Sequence, residues 1–598
     1  EDGYTVTRTY NYTAPGCHDS CGVLLYTKDG KLARIEGDPL DPYANGKLCM
    51  RCLDMIEMVE SDHRLKYPMK RAGERGENKW ERITWDEAID MIATYIKEEI
   101  DDKGLFQQVR AFGRQKGVVG TLIEQCVLGY APDSRQEADL VVLEGAERTK
   151  TELKSTGMVI DREPTPHFVA KEPMSITAVG IYDLPEQRFE TSHFWNKLEH
   201  MLLVYYHYDS DRPVEPYEYR RFPIRGYELH VFSPEEREAL RQDWEHVRAL
   251  AARILSHHPG PRDRAWREAV KREYIEVHGE LRPKLSFIDL APRFPPRFRL
   301  KKAVVSSIIM RHFGYRLEQL PGRYTVISDV DRKCRGLTAR YAGKTVEELA
   351  AGLGVPLAGA AGRESKHICE RIAVAMFGGR SARLDQIEMF QKFGIVAKSI
   401  TVTPEGGRTE DMKLFRIDFR EMVQREAVDE EGAVRPFQFE DSALYDYFAG
   451  HDLLCIRFQE PPRERVTDPA TGRRALQSCP LSRNTFLGFK RLTFSEAFIQ
   501  GPVRRLWEDT REKVLEGTLV DVPRRRRDGS PVTIGSGEVS SAPNFLKSSE
   551  NPVFIRGAGT DSSLRHKTEK VNGIRMLPQY VWLRGSAVVA ELGGVPDL

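Results

Sequence analysis

Residues 116–156, KGVVGTLIEQCVLGYAPDSRQEADLVVLEGAERTKTELKST, contain three carboxylates and a lysine suited to one chemistry. Glu152 and Lys154 are two positions apart, and alternate side chains of a strand share one face. Asp139 precedes them, and Glu124 lies on the helix predicted before it. Carboxylates that hold a hard cation such as Mg²⁺, beside a lysine that activates water, suit phosphodiester hydrolysis. The alternative is a solvated, salt-bridged strand, because 89 acidic residues give many such triplets by chance.

The composition is that of an ordinary globular chain with no overall nucleic-acid signature. The 598 residues are 40% hydrophobic and 30% charged, with a formal net charge of +1. A nuclease needs a basic cleft rather than a basic chain, so this charge balance does not exclude DNA binding. Nine cysteines, an odd number in a long chain, do not predict a disulfide framework. Without an apolar signal core or a membrane-length apolar run, the expected compartment is the cytoplasm.

Several motifs follow one another in a fixed order after position 103. They are KGVVGTLIE, EAD with Asp139, TELK, FETSHFWNKLEHMLLVYY, SPEEREALRQDWEHV, HGELRPK and FRLKKAVVSSIIMRHF. This series resembles MutH, the mismatch-repair DNA nickase, and the Sau-type GATC restriction endonucleases, which are built from two MutH-like halves. The resemblance implies a mixed α/β fold with a restriction-endonuclease-like core in two tandem domains, at 104–320 and 335–598.

The resemblance also implies a function and a set of site residues. The expected activity is that of a Mg²⁺-dependent type II site-specific deoxyribonuclease, with a GATC-like site in double-stranded DNA and a cognate DNA methyltransferase as partner. Asp139 and Glu152 would hold the metal while Lys154 activates water. The implied catalytic residues are Glu124, Asp139, Glu152, Lys154 and Lys197.

The segment HGELRPK, residues 278–284, matches the loop with which MutH reads DNA. Arg282 would form a bidentate pair with a guanine edge, assisted by Lys284. Lys301 and Lys302 would contact phosphate. Arg299 stands where MutH carries a tyrosine linked to methylation sensing, which favours a restriction-type cutter over a repair nickase.

The carboxy-terminal half resembles a degenerate copy of the same plan. In IVAKSITV, residues 395–402, Val396 stands where the glutamate would be, and Lys398 is kept. An apolar side chain cannot bind a cation, so this half is expected to be catalytically dead and to serve as a second DNA-binding lobe. The alternative is a scaffold domain that does not touch DNA.

The first hundred residues are of a different kind. CHDSC (17–21), NGKLCMRC (45–52) and NKWERITWDEAIDMIA (78–93) resemble the amino terminus of molybdopterin oxidoreductases. The resemblance implies a 4Fe–4S cluster, with Cys17, Cys21 and Cys49 at the second, third and fourth ligand positions. The first position falls near Ala14, and Cys52 is an alternative ligand with a different spacing. A small hairpin domain with reduced cysteines is the other interpretation.

Residues 1–103 are assigned no catalysis, because nothing after them resembles the pterin-binding domains of that family. The main prediction is therefore the endonuclease, and two rivals remain open. One is an iron–sulfur or molybdenum redox protein, which rests on the first hundred residues. The other is a DNA-binding protein that does not cut.

Overall fold

The computed structural model divides the chain into two compact units, Glu1–Tyr95 and Ile96–Leu598. This division lies eight residues before the predicted boundary at 103. The structure describes residues 3–11, 21–42, 44–61, 67–74, 76–84, 87, 91, 119–120, 123, 140–144, 147–161, 165–210, 214, 216–291, 294–358, 364–408, 410–428, 434–463, 465–467, 474–476, 479–526, 528–535 and 537–598.

The first unit is built on an antiparallel sheet of three strands in the order β1-β2-β3. Asp29 and Gly30 both have positive φ, at 49° and 75°, and they make the tight turn between β2 and β3. Val23 and Ile35 are buried in this sheet, and Cys52 is buried on a helix beside it. The elements are β1 Thr5–Asn11, β2 Cys21–Lys28, β3 Lys31–Gly37, β4 Met69–Arg71 and β5 Trp80–Arg82, with helices Met50–Leu53 and Met55–Glu60.

The second unit is mixed α/β with several small sheets, in agreement with the predicted class. Its strands are β6 Leu140–Glu144, β7 Glu147–Asp161, β8 His167–Ala170, β9 Met174–Ala178, β10 Met201–His207, β11 Ile224–His230, β12 Ile288–Leu290, β13 Arg297–Leu300, β14 Ile395–Val402, β15 Met412–Arg416, β16 Glu426–Val428, β17 Val434–Pro436, β18 Asp452–Gln459, β19 Arg465–Thr467, β20 Arg474–Leu476, β21 Thr485–Leu492, β22 Asp521–Pro523, β23 Ser541–Pro543, β24 Val553–Gly557, β25 Glu569–Val571, β26 Ile574–Met576 and β27 Gln579–Leu583.

Helices cover and connect these sheets. The α-helices of the second unit are His193–Asn196, Pro234–His257, Arg264–Val277, Lys302–His312, Ile327–Tyr341, Val346–Leu353, Ile368–Phe377, Glu388–Lys392, Phe419–Met422, Ala443–Gly450, Glu496–Phe498, Arg504–Leu515 and Gly585–Gly593. The longest of them, Pro234–His257, begins at a capping box formed by Ser233 and Glu236 and packs Trp244 into the core.

One arrangement of strands occurs twice in this unit. β7 pairs parallel with β10, which pairs antiparallel with β11. In the same way β14 pairs parallel with β18, which pairs antiparallel with β21. A short helix precedes each middle strand, and its first turn is capped by Ser192 in one case and Ser442 in the other. We refer to these two arrangements as the first and second repeat; the tandem of MutH-like domains expected from the sequence stays a prediction.

The two repeats share buried surface. One apolar cluster contains Met158 and Trp244 from the first repeat together with Leu454 and Phe489 from the second. A second cluster, from Ile400 to Leu592, lies within the carboxy-terminal half. The boundaries proposed at 320 and 335 therefore fall within a continuous core and stay predictions.

The buried Asp243 fixes the loop that follows HGELRPK. Its carboxylate accepts backbone N–H bonds from Ser286 at 2.8 and 3.0 Å, from Phe287 at 2.7 Å and from Ile288 at 3.0 Å. Burial raises the pKa of Asp243 to about 6, against the opposing effect of these bonds. A helix side chain thus satisfies a buried backbone turn and sets the start of β12.

His451, directly before β18, makes the stability of the second unit depend on pH. Burial lowers its pKa to about 4, and Lys302 adds to this effect, whereas the carbonyl of Tyr447 opposes it. An unfolded histidine has a pKa near 6.5, so the unfolded chain binds the proton more tightly. The contribution of neutral His451 is therefore complete above about pH 6.5 and is lost as the pH falls toward 4.

The free energy of unfolding should fall between pH 7 and pH 4.5 in the unaltered protein. In His451→Gln we expect this fall to be smaller by about 2 kcal/mol. Urea denaturation at the two pH values measures the difference. His257→Gln is the control, since His257 is exposed beside Glu273. Equal pH dependence in His451→Gln and the unaltered protein would show that His451 is not the titrating group.

Candidate functional site

Three charged side chains of the predicted site meet beside the edge of β7 nearest β10. Glu152 is only 1% exposed, and its Oε1 accepts hydrogen bonds from Lys154 Nζ at 2.6 Å and Lys197 Nζ at 2.7 Å. Leu153, between them in the sequence, lies on the opposite face of the sheet and packs there in a small apolar cluster. Glu152 and Lys154 thus share one face, as alternation along a strand predicts.

Two elements bring these charges together. The parallel pairing of β7 with β10 sets Met201 opposite Glu152, and the N–H of Glu152 donates to the carbonyl of His200 at 2.9 Å. Lys197 ends the short helix His193–Asn196, which is held by the Ser192 cap and the buried Trp195. The lysine therefore reaches Glu152 from just before the neighbouring strand.

The cluster is one buried acid with two lysines that keep access to solvent. The side chains of Lys154 and Lys197 are 21% and 18% exposed. Glu152 Oε2 is buried and has no hydrogen-bond partner among the residues that the structure describes. Such a group can bind an anion or orient a water molecule. Within the described residues no group of three or more histidine, cysteine or acidic side chains could hold a metal ion.

The remaining predicted carboxylates do not complete a magnesium site in the described structure. Glu124 and Asp139 lie outside the described residues. Glu152 is therefore the single described member of the predicted acidic set, and two lysines already neutralise it. The predicted metal site of Asp139 and Glu152 therefore stays a prediction.

The arginines predicted to read DNA are bound to carboxylates of the protein. Arg282 forms an ion pair with Glu496 at 2.5 Å. Arg299 makes two hydrogen bonds to Asp289, at 2.9 and 3.0 Å, and although burial acts in the other direction, Asp289 raises the pKa of the Arg299 guanidinium. Base reading by Arg282, or DNA binding by Arg299, would require these pairs to exchange. That role stays a prediction.

The predicted lysines of this region differ in accessibility. Lys301 Nζ donates to the carbonyl of Leu285 at 2.5 Å. Lys302 is half-buried at the start of a helix, whereas Lys284 is exposed. Sequence reasoning missed the acidic partners of the arginines. Asp289 sits directly opposite Arg299 in the β12–β13 register, which becomes readable only when that hairpin is known.

The resemblance aligns Val396 of the second repeat with Glu152, and the loss of catalysis expected from this apolar residue stays a prediction. Val396 packs against the carboxy-terminal core. Burial lowers the pKa of the retained Lys398, and Glu370 opposes that effect.

Two of the three predicted cluster ligands of the first unit lie in its described part. Cys21 begins β2, opposite Asn11 of β1. Cys49 is exposed and caps the helix Met50–Leu53, and the backbone N–H of Cys52 donates to the carbonyl of Cys49 at 3.1 Å. Cys17, and Ala14 at the missing first position, lie outside the described residues.

A chain of hydrogen bonds ties the two cysteine segments together. The N–H of Gly22 donates to the carboxylate of Asp41 at 3.0 Å, and its carbonyl accepts from the N–H of Asp38 at 2.9 Å. The carbonyl of Asp38 in turn accepts from the N–H of Gly46 at 3.0 Å. These bonds anchor the loop that runs from Gly22 to Gly46. Cys21 comes directly before this loop, and Cys49 comes three residues after it.

Three family models match separate parts of the chain. The Fe4S4 domain of molybdopterin oxidoreductases matches residues 13–61, and molybdopterin oxidoreductase matches residues 64–113. The DNA mismatch repair enzyme MutH matches residues 128–243. The chain therefore joins a segment similar to molybdenum oxidoreductases to a segment similar to MutH.

The curated relatives that match are oxidoreductases. A probable oxidoreductase, YoaE, of Bacillus subtilis (strain 168) is 41% identical over 88 residues, which are 15% of this chain and 13% of that protein. The dimethyl sulfoxide reductase DmsA of Escherichia coli (strain K12) is 39% identical over 93 residues, 15% and 11% of the two chains. The formate dehydrogenase-O major subunit of the same organism is 38% identical over 102 residues, 16% and 10%. The chain spans about a tenth of the length of these relatives.

These comparisons correct the main functional prediction. The expected magnesium-dependent restriction endonuclease is wrong, because the curated relatives are oxidoreductases and two family models describe molybdopterin oxidoreductases. The same matches support a 4Fe–4S cluster and molybdopterin rather than magnesium as cofactors. In the described part of the chain, no helix is both long and apolar enough to span a bilayer.

Replacing Glu152 should destabilise the second unit, because it leaves two lysines side by side without their shared acid. We expect Glu152→Ala to lower the free energy of unfolding by about 3 kcal/mol, and Lys197→Met in the same background to restore part of the loss. Chemical denaturation measures both. Lys271→Met, at a looser and exposed pair of 3.8 Å with Glu268, is the control and should change stability by less than about 0.5 kcal/mol. A Glu152→Ala variant as stable as the unaltered protein would contradict the role of this cluster.

Proposed function

We propose that this chain is an iron–sulfur protein of the molybdopterin oxidoreductase type, in which the unit Glu1–Tyr95 carries electrons through a 4Fe–4S cluster. The observation that carries the proposal is the match of an Fe4S4 domain to residues 13–61, which contain all four cysteines of this unit.

The cluster is supported by the family match over these cysteines, since Cys21, Cys49 and Cys52 do not form a metal-holding group among the described residues. Thiolates are the usual ligands of iron in such clusters. Cys21 and Cys49 lie next to an anchored loop and at the start of a helix, and Cys52 is one helical turn further. We assign Cys17, Cys21 and Cys49 as ligands and Cys52 as the replacement for the cysteine missing near Ala14.

A bound cluster would supply one-electron storage. The protein's own contribution is to fix and shield the thiolates. Asp38 and Asp41 hold the loop that precedes Cys49, and the burial of Cys52 keeps water from one sulfur atom. Solvent exclusion around the sulfur atoms is one of the factors that set a cluster's reduction potential.

Anaerobic reconstitution of the full chain with iron and sulfide should give about four iron atoms per chain and a broad visible absorption. Cys49→Ser and Cys52→Ser should each lose most of that iron. Cys479→Ser, at a cysteine of the second unit, is the matched control and should keep it. Protein that stays colourless and free of iron after reconstitution would refute the proposal.

A second candidate function belongs to the other unit. We propose that Ile96–Leu598 also binds duplex DNA, without assigning it any cleavage. The specific support is the MutH match at 128–243, which contains the cluster of Glu152, Lys154 and Lys197. In this proposal the two lysines contact phosphate, the surface around Lys284 assists, and β14-β18-β21 is the core of a degenerate second copy.

Lys284→Glu should weaken the binding of a labelled duplex and reduce the slope of log affinity against log salt by about 1, because one phosphate contact is lost. Fluorescence anisotropy over a salt series measures this. Lys366→Glu is the control at another exposed lysine, outside the proposed surface, and should change the slope little. If the unaltered protein shows no salt-dependent binding, DNA is not a partner. If only Lys284→Glu is without effect, this lysine is not a contact.

A further inference from the structure

A β-ribbon and a hairpin extend the carboxy-terminal half of the second unit. The sheet order β12-β13-β9 recurs in this half as β24-β27-β15. Residues 291–296 join β12 to β13, whereas residues 558–578 join β24 to β27 and contain the hairpin β25–β26. The ribbon, residues 521–543, begins at β22 and ends at β23, and these two strands pair antiparallel. Both additions lie outside the residues that the MutH model matches, 128–243.

Hydrogen bonds join the segment that carries the hairpin to the ribbon. Lys567 Nζ donates to the carboxylate of Asp521 at 2.7 Å and to Ser541 Oγ at 2.6 Å, so it contacts both strands of the ribbon. Ser562 Oγ donates to Ser540 Oγ at 2.9 Å. The ribbon and the hairpin segment are therefore held as one surface.

Two cations lie side by side on the hairpin. Lys570 of β25 is directly opposite Arg575 of β26, and both residues are exposed. Asn572 and Gly573, with φ of 49° and 81°, make the tight turn between the strands, and Asn572 Nδ2 donates to the carbonyl of Val514 at 2.7 Å. Like charges directly opposite each other destabilise a pair of strands. An anion bound between them would remove this repulsion.

Two further cations share one face of the ribbon. Arg524 and Arg526 follow β22, two positions apart, and both are exposed. The carbonyl of Arg524 accepts from the N–H of Val532 at 2.9 Å, and the N–H of Arg526 donates to the carbonyl of Ser530 at 2.8 Å. Alternate residues of such paired, extended backbone point to the same side. We call Arg524, Arg526, Lys570 and Arg575 the basic surface.

The acids of these two segments have partners of their own. They are Asp521 with Lys567, Asp561 with His566, Glu569 with Arg416, Asp528 with the N–H of Ser530, and Glu538 with the N–H of Leu564. Within the described part of the chain, no member of the basic surface makes an ion pair. Its four cations therefore outnumber the two acids that no cation neutralises, Asp528 and Glu538.

We propose that the basic surface binds the phosphate backbone of duplex DNA. Lysine and arginine side chains that neutralise phosphates supply most of the affinity of such binding. A two-stranded β-ribbon fits into the major groove, so Arg524 and Arg526 on the ribbon can reach the phosphates beside it, with Lys570 and Arg575 next to them. The inference rests on the DNA binding proposed for the second unit and adds a contact surface far in sequence from Lys284.

The test is fluorescence anisotropy of the full chain with a labelled duplex over a salt series. Lys570→Gln combined with Arg575→Gln, and Arg524→Gln combined with Arg526→Gln, should each reduce the slope of log affinity against log salt by about 2. Each pair of substitutions should also weaken binding about tenfold at physiological salt. The exchange of Lys570→Arg with Arg575→Lys keeps both charges and should bind as the unaltered protein does.

Arg335→Gln combined with Lys366→Gln is the matched control. It removes one exposed arginine and one exposed lysine that lie outside the ribbon and the hairpin, and it should change the slope little. An unaltered protein that binds the duplex, with an unchanged slope in either double variant, would overturn the basic surface while the DNA binding stands. An unaltered protein that does not bind the duplex would overturn both.

An anionic membrane is the rival partner, because Val522 and Val539 of the ribbon are 43% and 44% exposed. Vesicles that contain phosphatidylserine are the probe for it. Binding to these vesicles that is lost in the double variants, without binding to the duplex, would assign the surface to lipid and overturn the proposal. Binding to the duplex alone, weakened in both double variants, is the result expected.

Discussion

The parallel pairing of β7 with β10 is the constraint on which the described site depends. It places the segment after the helix His193–Asn196 beside β7, so that a lysine 45 residues away from Glu152 in the sequence reaches its carboxylate. Parallel strands cannot be joined by a tight turn, and here the connection carries β8, β9 and that short helix. The site is thus a product of the crossover, and its geometry follows from the sheet.

Buried ion pairs hold the two repeats of the second unit together. Arg491 of β21 pairs with Asp452 of the adjacent strand at 2.6 Å and with Asp331 of a helix at 2.7 Å, and it also donates to the carbonyl of Pro283. Arg282 pairs with Glu496 across the same region. Arg491 is thus paired with two carboxylates, as low-dielectric surroundings favour, whereas Arg282 Nη1 is buried and has no hydrogen-bond partner among the described residues. These pairs connect the HGELRPK loop of one repeat to strands and helices of the other.

Local patterns in the sequence predicted local structure correctly. The two-residue spacing of Glu152 and Lys154 correctly put them on one face, and the strand and helix classes gave the right mixed α/β architecture. The prediction that Lys197 belongs to the site came from the resemblance alone, because its contact with Glu152 requires a non-local strand pairing. The pairing of Arg282 with Glu496 could not be foreseen, because it depends on how two repeats pack. The function was predicted wrongly because weight was placed on the longer segment, whereas the shorter one, with its four cysteines, is matched by the Fe4S4-domain model.

The shared core and the hydrogen bond from Arg491 to the carbonyl of Pro283 also affect how the second unit folds. Contacts between residues 208 positions apart must be formed before the HGELRPK loop is fully held. Closing so long a segment carries a high entropic cost, and chains rich in such contacts fold slowly. During synthesis the first repeat is made before the strand that contains Arg491. Until that strand is made, the apolar face of the first repeat is exposed to other chains. This unit is therefore expected to fold slowly or to need a chaperone.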